Sequence, residues 1–485
     1  MPKQRTLAPL LPIAAAATLA ANASAQVTLT PVTGFGTNGW LAPGSTPFLG
    51  TTNNERGLAY NPVTGNLLLV SRSGGNNVRI LNSATGADLG GLNTAGVSGG
   101  AIVINMVAVA DDGSIYVDNL TNAVGVNFKI YRWNDEATGA TTPPLVVYSG
   151  IPGPLRVGDV FAVFGGSGVT PLQFAAAGSG VVNQTNTTIG SNFVVGPLDF
   201  SNNSITYSQI AGTAATGNND YRLAMTWVDG DTVIGSQGTN ARVTTFDPVT
   251  QTAVLDATVP VGGAARRAMD YAVIGGVPML AVIDTNNSAV TVLNVTDPGN
   301  PILMASATTT TGALTANVNG TGSVAWGAIT GTTARLYAMS SNQGIQAFDF
   351  SFGPLASTAT YGVGCDGLGL GNTGLPRIGN AGFSLDVTGV SPFTPIAFVA
   401  VGTLAVNPGI DLTVIGMPGC FSYTSFDIGL FQTGAVVGTT GSFVLAIPVN
   451  TALAGASLAT QGVSLSGANS LGLNASNGVS FTVGF

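Results

Sequence analysis

Arg56-Gly-Leu-Ala-Tyr60-Asn-Pro-Val-Thr-Gly-Asn-Leu-Leu-Leu-Val70 is the stretch that decides the fold. An arginine leads a short apolar run, Asn-Pro and Thr-Gly-Asn supply turn chemistry, and a second apolar run follows. The phrase returns at Arg156-Val-Gly-Asp-Val-Phe161, at Arg222-Leu-Ala-Met-Thr-Trp227 and at Arg267-Ala-Met-Asp-Tyr271. Arginine-free echoes start near Ile104 and Ser323. Repeats of roughly 40 to 60 residues built from strands and turns indicate a radial β array. Unit starts near residues 56, 104, 156, 222, 267 and 323 predict about six units, and their uneven spacing leaves five or seven open. The expected fold is therefore all-β: a β-propeller of about six blades over residues 26–355, then a C-terminal antiparallel β-sandwich over residues 356–485.

Inside the units, strand pairs recur. Leu67 to Ser71 precedes Val78 to Leu81, and Ile115 to Val117 precedes Lys129 to Trp133. Thr232 to Gly235 precedes Val243 to Phe246, and Met279 to Ile283 precedes Val290 to Val295. Turn chemistry such as Ser73-Gly-Gly-Asn-Asn77 and Asp284-Thr-Asn-Asn-Ser288 separates most pairs. An N-terminal strand around Val27 to Thr33 is expected to pair with the last unit, which removes exposed edges from the array.

Composition narrows the class of molecule. Of 485 residues, 45% are apolar and 7% charged, against about 25% charged in an ordinary soluble chain. Lys3 and Arg5, an apolar stretch from Leu7 to Ala20, and Ala23-Ser24-Ala25 form the three parts of a secretory signal peptide over residues 1–25. Export follows as the expectation, to the medium or the cell surface, with no transmembrane segment in the mature chain. Removing Lys3 and Arg5 from the 14 basic residues leaves 12 against 22 acidic ones, a net charge of −10. An acidic chain with no basic run is a poor partner for a nucleic-acid backbone. Two cysteines, Cys365 and Cys420, lie in the C-terminal quarter. In an exported chain they are expected to form a disulfide, because no histidine exists to complete a zinc site.

Resemblances add to this reading. Leu280-Ala-Val-Ile-Asp284 followed by Val290-Thr-Val-Leu-Asn-Val-Thr-Asp-Pro-Gly-Asn-Pro301 resembles one LVIVD repeat of bacterial surface proteins. The Arg56 to Val70 phrase, Arg156-Val-Gly-Asp159 and Gly276-Val-Pro-Met-Leu-Ala-Val282 resemble a family of secreted bacterial proteins of unknown function. That likeness implies a propeller-like fold and no activity. Tyr361-Gly-Val-Gly-Cys365, Gly416-Met-Pro-Gly-Cys420, Ala446-Ile-Pro-Val-Asn450 and Asn469-Ser-Leu-Gly-Leu-Asn474-Ala-Ser-Asn-Gly478 resemble a domain that ends many secreted planctomycete proteins. What this second resemblance implies is surface retention or sorting.

Chemistry is bounded first by absence. Without histidine, Ser-His-Asp and Cys-His catalysis cannot be assembled. The only glutamates are Glu55 and Glu136, so a carboxylate-pair hydrolase or lyase would rely on aspartates such as Asp159 and Asp270, with arginines. Turn or cap roles are the commoner use of isolated aspartates. No catalytic residue, cofactor or metal is assigned. Asp111-Asp-Gly-Ser114 and Asp229-Gly-Asp231 cluster oxygens, yet neither completes a calcium loop, and both read as β-turns. Trp227 and Trp326 occupy comparable repeat positions and are expected to pack between blades.

The recurrent arginines are the lead. Arg56, Arg156, Arg222, Arg266 and Arg267 stand where the innermost strand of four units begins, so a propeller would gather them at one mouth of its channel. Guanidinium groups there could take a carboxylate, sulfate or phosphate bidentately. In the competing reading each arginine pairs with Glu55, Asp159, Asp220 or Asp270 and ties blades together. Arg79, Arg132 and Arg242 lie on later strands and are expected on an outer face. The alternation Val479-Ser-Phe481-Thr-Val483-Gly-Phe485 marks a last strand; it also suits the end of an outer-membrane barrel, against which the expected disulfide and Pro395, Pro408 and Pro418 count. The expectation is a non-catalytic surface module that binds an acidic polysaccharide or another cell-envelope component.

Overall fold

A computed structural model describes residues 27–151, 156–166, 172–179, 191–197, 208–211, 220–247, 250 and 252–485. The leader from Lys3 to Ala25 lies outside the described residues. The chain forms two compact units, Thr28–Ser351 and Phe352–Phe485. Antiparallel strands make up nearly all the regular structure of both.

Among the described residues of Thr28–Ser351 the strands group into six sheets, numbered in chain order. Sheet one holds Glu55–Tyr60, Asn66–Ser71, Asn77–Asn82 and Asp88–Gly91, paired in sequence order. Sheet two holds Val107–Val109, Ile115–Asp118, Phe128–Trp133 and Leu145–Gly150. Sheet three holds Arg156–Phe164, Gln173–Ser179, Ser191–Pro197 and Ser208–Ala211. Sheet four holds Ala224–Trp227, Thr232–Ser236, Asn240–Asp247 and Thr252–Pro260. Sheet five holds Arg266–Ile274, Val277–Asp284, Val290–Asn294 and Ile302–Ala307. Sheet six is built from Gly322–Thr330, Thr333–Ser340 and Gly344–Ser351. Its outer place is filled from the other end of the chain: Thr28–Pro31 pairs antiparallel with Gly344–Ser351, Thr28 opposite Ser351. The pairing expected of the N-terminal strand is present.

The sequence pattern has a direct physical cause. Leu67 and Leu69 join Tyr337, Met339 and Ile345 of sheet six in one buried cluster. Leu68 and Val70, pointing the other way, join Ile115 and Val117 of sheet two. A strand buried on both faces needs a continuous apolar run rather than an alternating one. Aromatic side chains fill the space between sheets two, three and four, where Phe128, Phe174, Phe193 and Trp227 share a cluster. Trp227 lies 5.6 Å from Phe164 of sheet three and 5.7 Å from Phe246 of its own sheet, ring centre to ring centre. Trp326 packs 5.7 Å from Phe350 and donates its indole N–H to the carbonyl of Asp270 in sheet five (3.2 Å).

First strands neighbour one another in chain order, and that of sheet six neighbours that of sheet one. Specific bonds mark these junctions. Sheets six and one are joined by Arg56 Nη1 donating to Thr321 Oγ1 (3.1 Å). Between one and two the backbones approach so closely that a Cβ on Gly57 would lie 2.6 Å from the amide nitrogen of Val107. Asn105 Nδ2 donates to the Gly158 carbonyl (2.5 Å), tying two to three. Asp159 joins three to four, as described below. The Ala268 amide donates to the Leu223 carbonyl (3.1 Å) across four and five, and Asp270 accepts from the Trp326 amide (2.8 Å) across five and six.

In Phe352–Phe485 a five-stranded antiparallel sheet runs in the order Ser357–Tyr361, Leu473–Thr482, Ser457–Leu465, Ala397–Gly402, Gly429–Gln432. A three-stranded sheet holds Gly369–Thr373, Ser384–Thr388 and Thr440–Val444, and a two-stranded one holds Ala405–Asp411 and Phe421–Thr424. Phe383 meets Phe481 at 5.3 Å and Phe431 meets Phe443 at 5.6 Å, so side chains of the two larger sheets pack together. Cys365 and Cys420 form the expected disulfide. The final strand is an interior strand of its sheet, with Val479, Phe481 and Phe485 buried. Among the described residues, no helix is long and apolar enough to cross a membrane.

Candidate functional site

Each recurrent arginine sits at the start of a first strand. Arg56 is the second residue of Glu55–Tyr60, Arg156 opens Arg156–Phe164, Arg222 comes two residues before Ala224–Trp227, and Arg266 opens Arg266–Ile274. Because first strands neighbour one another, these starts are brought together. Asp159 is the focus. Its buried carboxylate accepts from Arg156 Nε and, at Oδ1, from Arg156 Nη2 (2.6 Å). From the next sheet, Arg222 Nε donates to Oδ2 at 3.0 Å. Arg156 belongs to the same strand; Arg222 arrives 63 residues later, and only the packing of sheet four on sheet three supplies it. The bidentate bond to Asp159 raises the Arg156 pKa.

Arg56 is the anomaly. It is 6% exposed, and among the described residues its bonded partner is the Thr321 hydroxyl, with Nε unpaired. No carboxylate lies within salt-bridge distance of it among those residues. Burial pushes its pKa down to about 10; the charges of Arg72 and Arg156 act in the same direction, and Asp159 opposes them. A buried charge without a partner is costly by several kcal/mol. Arg267 comes close as well: a Cβ on Gly320, one residue before Thr321, would overlap its guanidinium. Its Nε donates to the Ala264 carbonyl (3.1 Å). Arg266 is not part of this group. Its Nη1 donates to the Val261 carbonyl (2.9 Å) in the preceding loop, since adjacent strand residues point to opposite faces.

The acids named as alternative partners divide. Asp159 takes two arginines, whereas Asp220 pairs with Arg242 at 3.1 Å. Glu55 accepts from the Gly50 amide. Asp270 takes neutral donors only: Thr226 Oγ1 (2.9 Å), its neighbour's amide at Tyr271 (3.0 Å) and the Trp326 amide. Glu136 accepts from Asn61 Nδ2 (2.8 Å) and Asn66 Nδ2 (2.7 Å), fastening the first turn of sheet one to a short helix, Glu136–Gly139. On the later strands, Arg79 pairs with Asp88 (2.5 Å) and Arg132 Nη2 donates to Ser114 Oγ (3.1 Å). In the two acidic turns, the side chains of Asp112 and Asp229 accept from the amides of Ser114 and Asp231, the bonding of Asx-turns, and the Gly113 amide donates to the Ala110 carbonyl as in a β-turn.

Sequence reasoning missed Asn105 and Thr321, the residues through which sheets two and six enter the group. The arginine-free echoes at Ile104 and Ser323 were the available signal, since these two stand beside the unit starts. Asp118 was missed too. It is fully buried beneath the group, accepts from the Met106 amide (2.8 Å), and burial raises its pKa well above the usual carboxylate range.

Further along, the first strands enclose a half-open cavity of about 400 Å³, lined by segments from all six sheets. Among the described residues, no group of three or more acidic or cysteine side chains is placed to hold a metal ion.

No family model and no curated protein matches the chain. Solved structures do resemble it in part. A DUF4623 family protein from Bacteroides eggerthii aligns with a TM-score of 0.44 at 15% identity, over 69% of this chain and 84% of that one. A proposed oxidoreductase (glucose dehydrogenase) from Thermus thermophilus aligns at 0.37 and 12% identity, over 67% and 100%. U3-55K aligns at 0.34 and 9% identity, over 68% and 99%. At these TM-scores the likenesses carry no assignment.

Proposed function

We propose that the six sheets of Thr28–Ser351 are blades of a propeller, completed by the N-terminal strand, and that Phe352–Phe485 is a β-sandwich. Support comes from the cyclic order of the first strands and from the core packing of the two larger C-terminal sheets. On this reading the protein is exported, held at the cell surface, and non-catalytic, and the arginine-bearing mouth of its channel recognises a carboxylate or sulfate on an acidic polysaccharide or other envelope component. The resemblance of the C-terminal segment to a planctomycete sorting domain supports the location, as do the leader sequence and the disulfide.

One observation carries the binding role: Arg56 is buried beside like charges without a carboxylate of its own. Asp159 already serves two guanidiniums, so the mouth retains positive charge that an incoming anion would neutralise. Asp159, one of the acids that a hydrolase or lyase would employ, is occupied by two arginines. The test is a panel of carboxylated and sulfated glycans offered to the wild type, Arg56→Ala and Arg222→Ala. Saturable binding to the wild type without turnover, weakened about tenfold or more by either substitution, is expected. Binding indifferent to both substitutions, or none to any acidic glycan, would overturn the proposal. Turnover would favour the catalytic alternative.

A further inference from the structure

The cavity enclosed by the first strands has a polarity opposite to that of the arginine mouth. No lysine or arginine lines it, and its one carboxylate is Asp270. That residue lies three positions beyond Arg267 on the same strand, past an irregularity at Ala268. All three hydrogen bonds to its oxygens come from neutral donors, on sheets four, five and six. A carboxylate has about four acceptor sites, so capacity remains. Among the described residues no ion pair balances the charge.

Two further features bear on what could enter. Each first strand ends its sheet's pairing order, so apart from the Val157–Thr121 bridge its second edge carries no ladder partner among the described residues. Those edges offer both N–H and C=O groups, the mixed demand that a molecule rich in hydroxyls meets. Tyr60 and Tyr271, both half-buried, are also among the lining residues. A volume of about 400 Å³ lies within the range of small-molecule sites.

We infer that the channel is a second binding site, for a small protonated amine that also bears hydroxyls, in the class of an aminated sugar, with its ammonium on Asp270. The inference does not depend on the anion reading of the mouth. Titration supplies a signature, because burial lifts the Asp270 pKa to about 6. The other titratable lining groups are Tyr60 and Tyr271; Asp229, whose charge acts on Tyr271, has its own pKa lowered. Between pH 7 and pH 5, Asp270 is therefore the lining group that loses its charge.

The test uses the full chain and three probes, glucosamine, glucose of the same size and the larger, uncharged N-acetylglucosamine, titrated calorimetrically near pH 7 and near pH 5. Glucosamine should bind about tenfold or more tightly than either uncharged sugar at pH 7, and that preference should shrink severalfold at pH 5. Asp270→Asn should abolish the preference, while Thr226→Val, which keeps the charge, should retain it. Equal affinities for the three sugars, a preference unchanged by pH, or no saturable binding in the folded wild type would each overturn the inference. The pH comparison needs no variant, so misfolding of Asp270→Asn cannot rescue it.

Discussion

Replacing Asp159 with asparagine separates the energetic role of the mouth from its binding role. The carboxylate is 6% exposed, and the arginines on it are 27% and 31% exposed. Asn keeps the shape and one acceptor oxygen but removes the charge, leaving Arg156 and Arg222 to face each other near Arg56. Charge-assisted hydrogen bonds contribute about 1.5–3 kcal/mol each, and breaking a buried pair by removing one partner costs about 3–5 kcal/mol. Water reaches both guanidiniums, so the lower end applies: a loss of about 3 kcal/mol. The assay is urea unfolding followed by tryptophan fluorescence. All four tryptophans, Trp40, Trp133, Trp227 and Trp326, lie in Thr28–Ser351, so the signal reports that unit. In the same variant the freed guanidiniums should bind an acidic glycan at least as tightly as before, and more steeply dependent on salt. A stability loss below about 1 kcal/mol would mean that water serves the arginines as well as Asp159 does. The clamp would then be a surface contact and the argument from buried charge would fail.

Two further predictions concern acid and the disulfide. With its pKa raised to about 6, Asp270 is protonated in the native state before it is in the unfolded chain, whose value is about 4. The native state thus binds more protons between those values, so the contribution is fully present below about pH 4 and lost as pH rises through 6. From pH 7 to pH 5 the wild type should gain about 1 kcal/mol more than Asp270→Asn, by urea unfolding at each pH; parallel curves would refute the assignment. Asp118 and Asp111, whose pKa values burial also raises, shift both proteins alike and drop out of that difference. Cys365 and Cys420 are 55 residues apart, and replacing both with serine should destabilise Phe352–Phe485 by about 4 kcal/mol in the chain-entropy account. Limited proteolysis of that unit across a urea series would register the loss, and an unchanged cleavage midpoint would contradict it.

How much of this was legible in the sequence follows from where each element gets its partners. Strands such as Asn66–Ser71 and Val277–Asp284 announce themselves because both faces are buried and the apolar run is unbroken. The second strand of sheet three does not. Its Ala175-Ala176-Ala177 centre is buried against aromatic neighbours, and alanine carries little strand preference of its own. Arg156 and Asp159 lie three residues apart across a register shift, a local pairing within reach of inspection. The Arg222 contact to the same carboxylate depends on sheet packing and is invisible locally.

The charge imbalance, in contrast, is a consequence of the repeat itself. Four units bring arginine to the mouth. The two echoes bring Asn105 and Thr321, which can bond but cannot neutralise, and Asp159 is the one carboxylate salt-bridged there. Strand periodicity then removes Arg266, since it and Arg267 cannot face the same way. Arg56 is left short because the neighbour across its junction is a threonine. What the arrangement lacks is a carboxylate at that junction, and the proposed recognition of an acidic ligand rests on that lack.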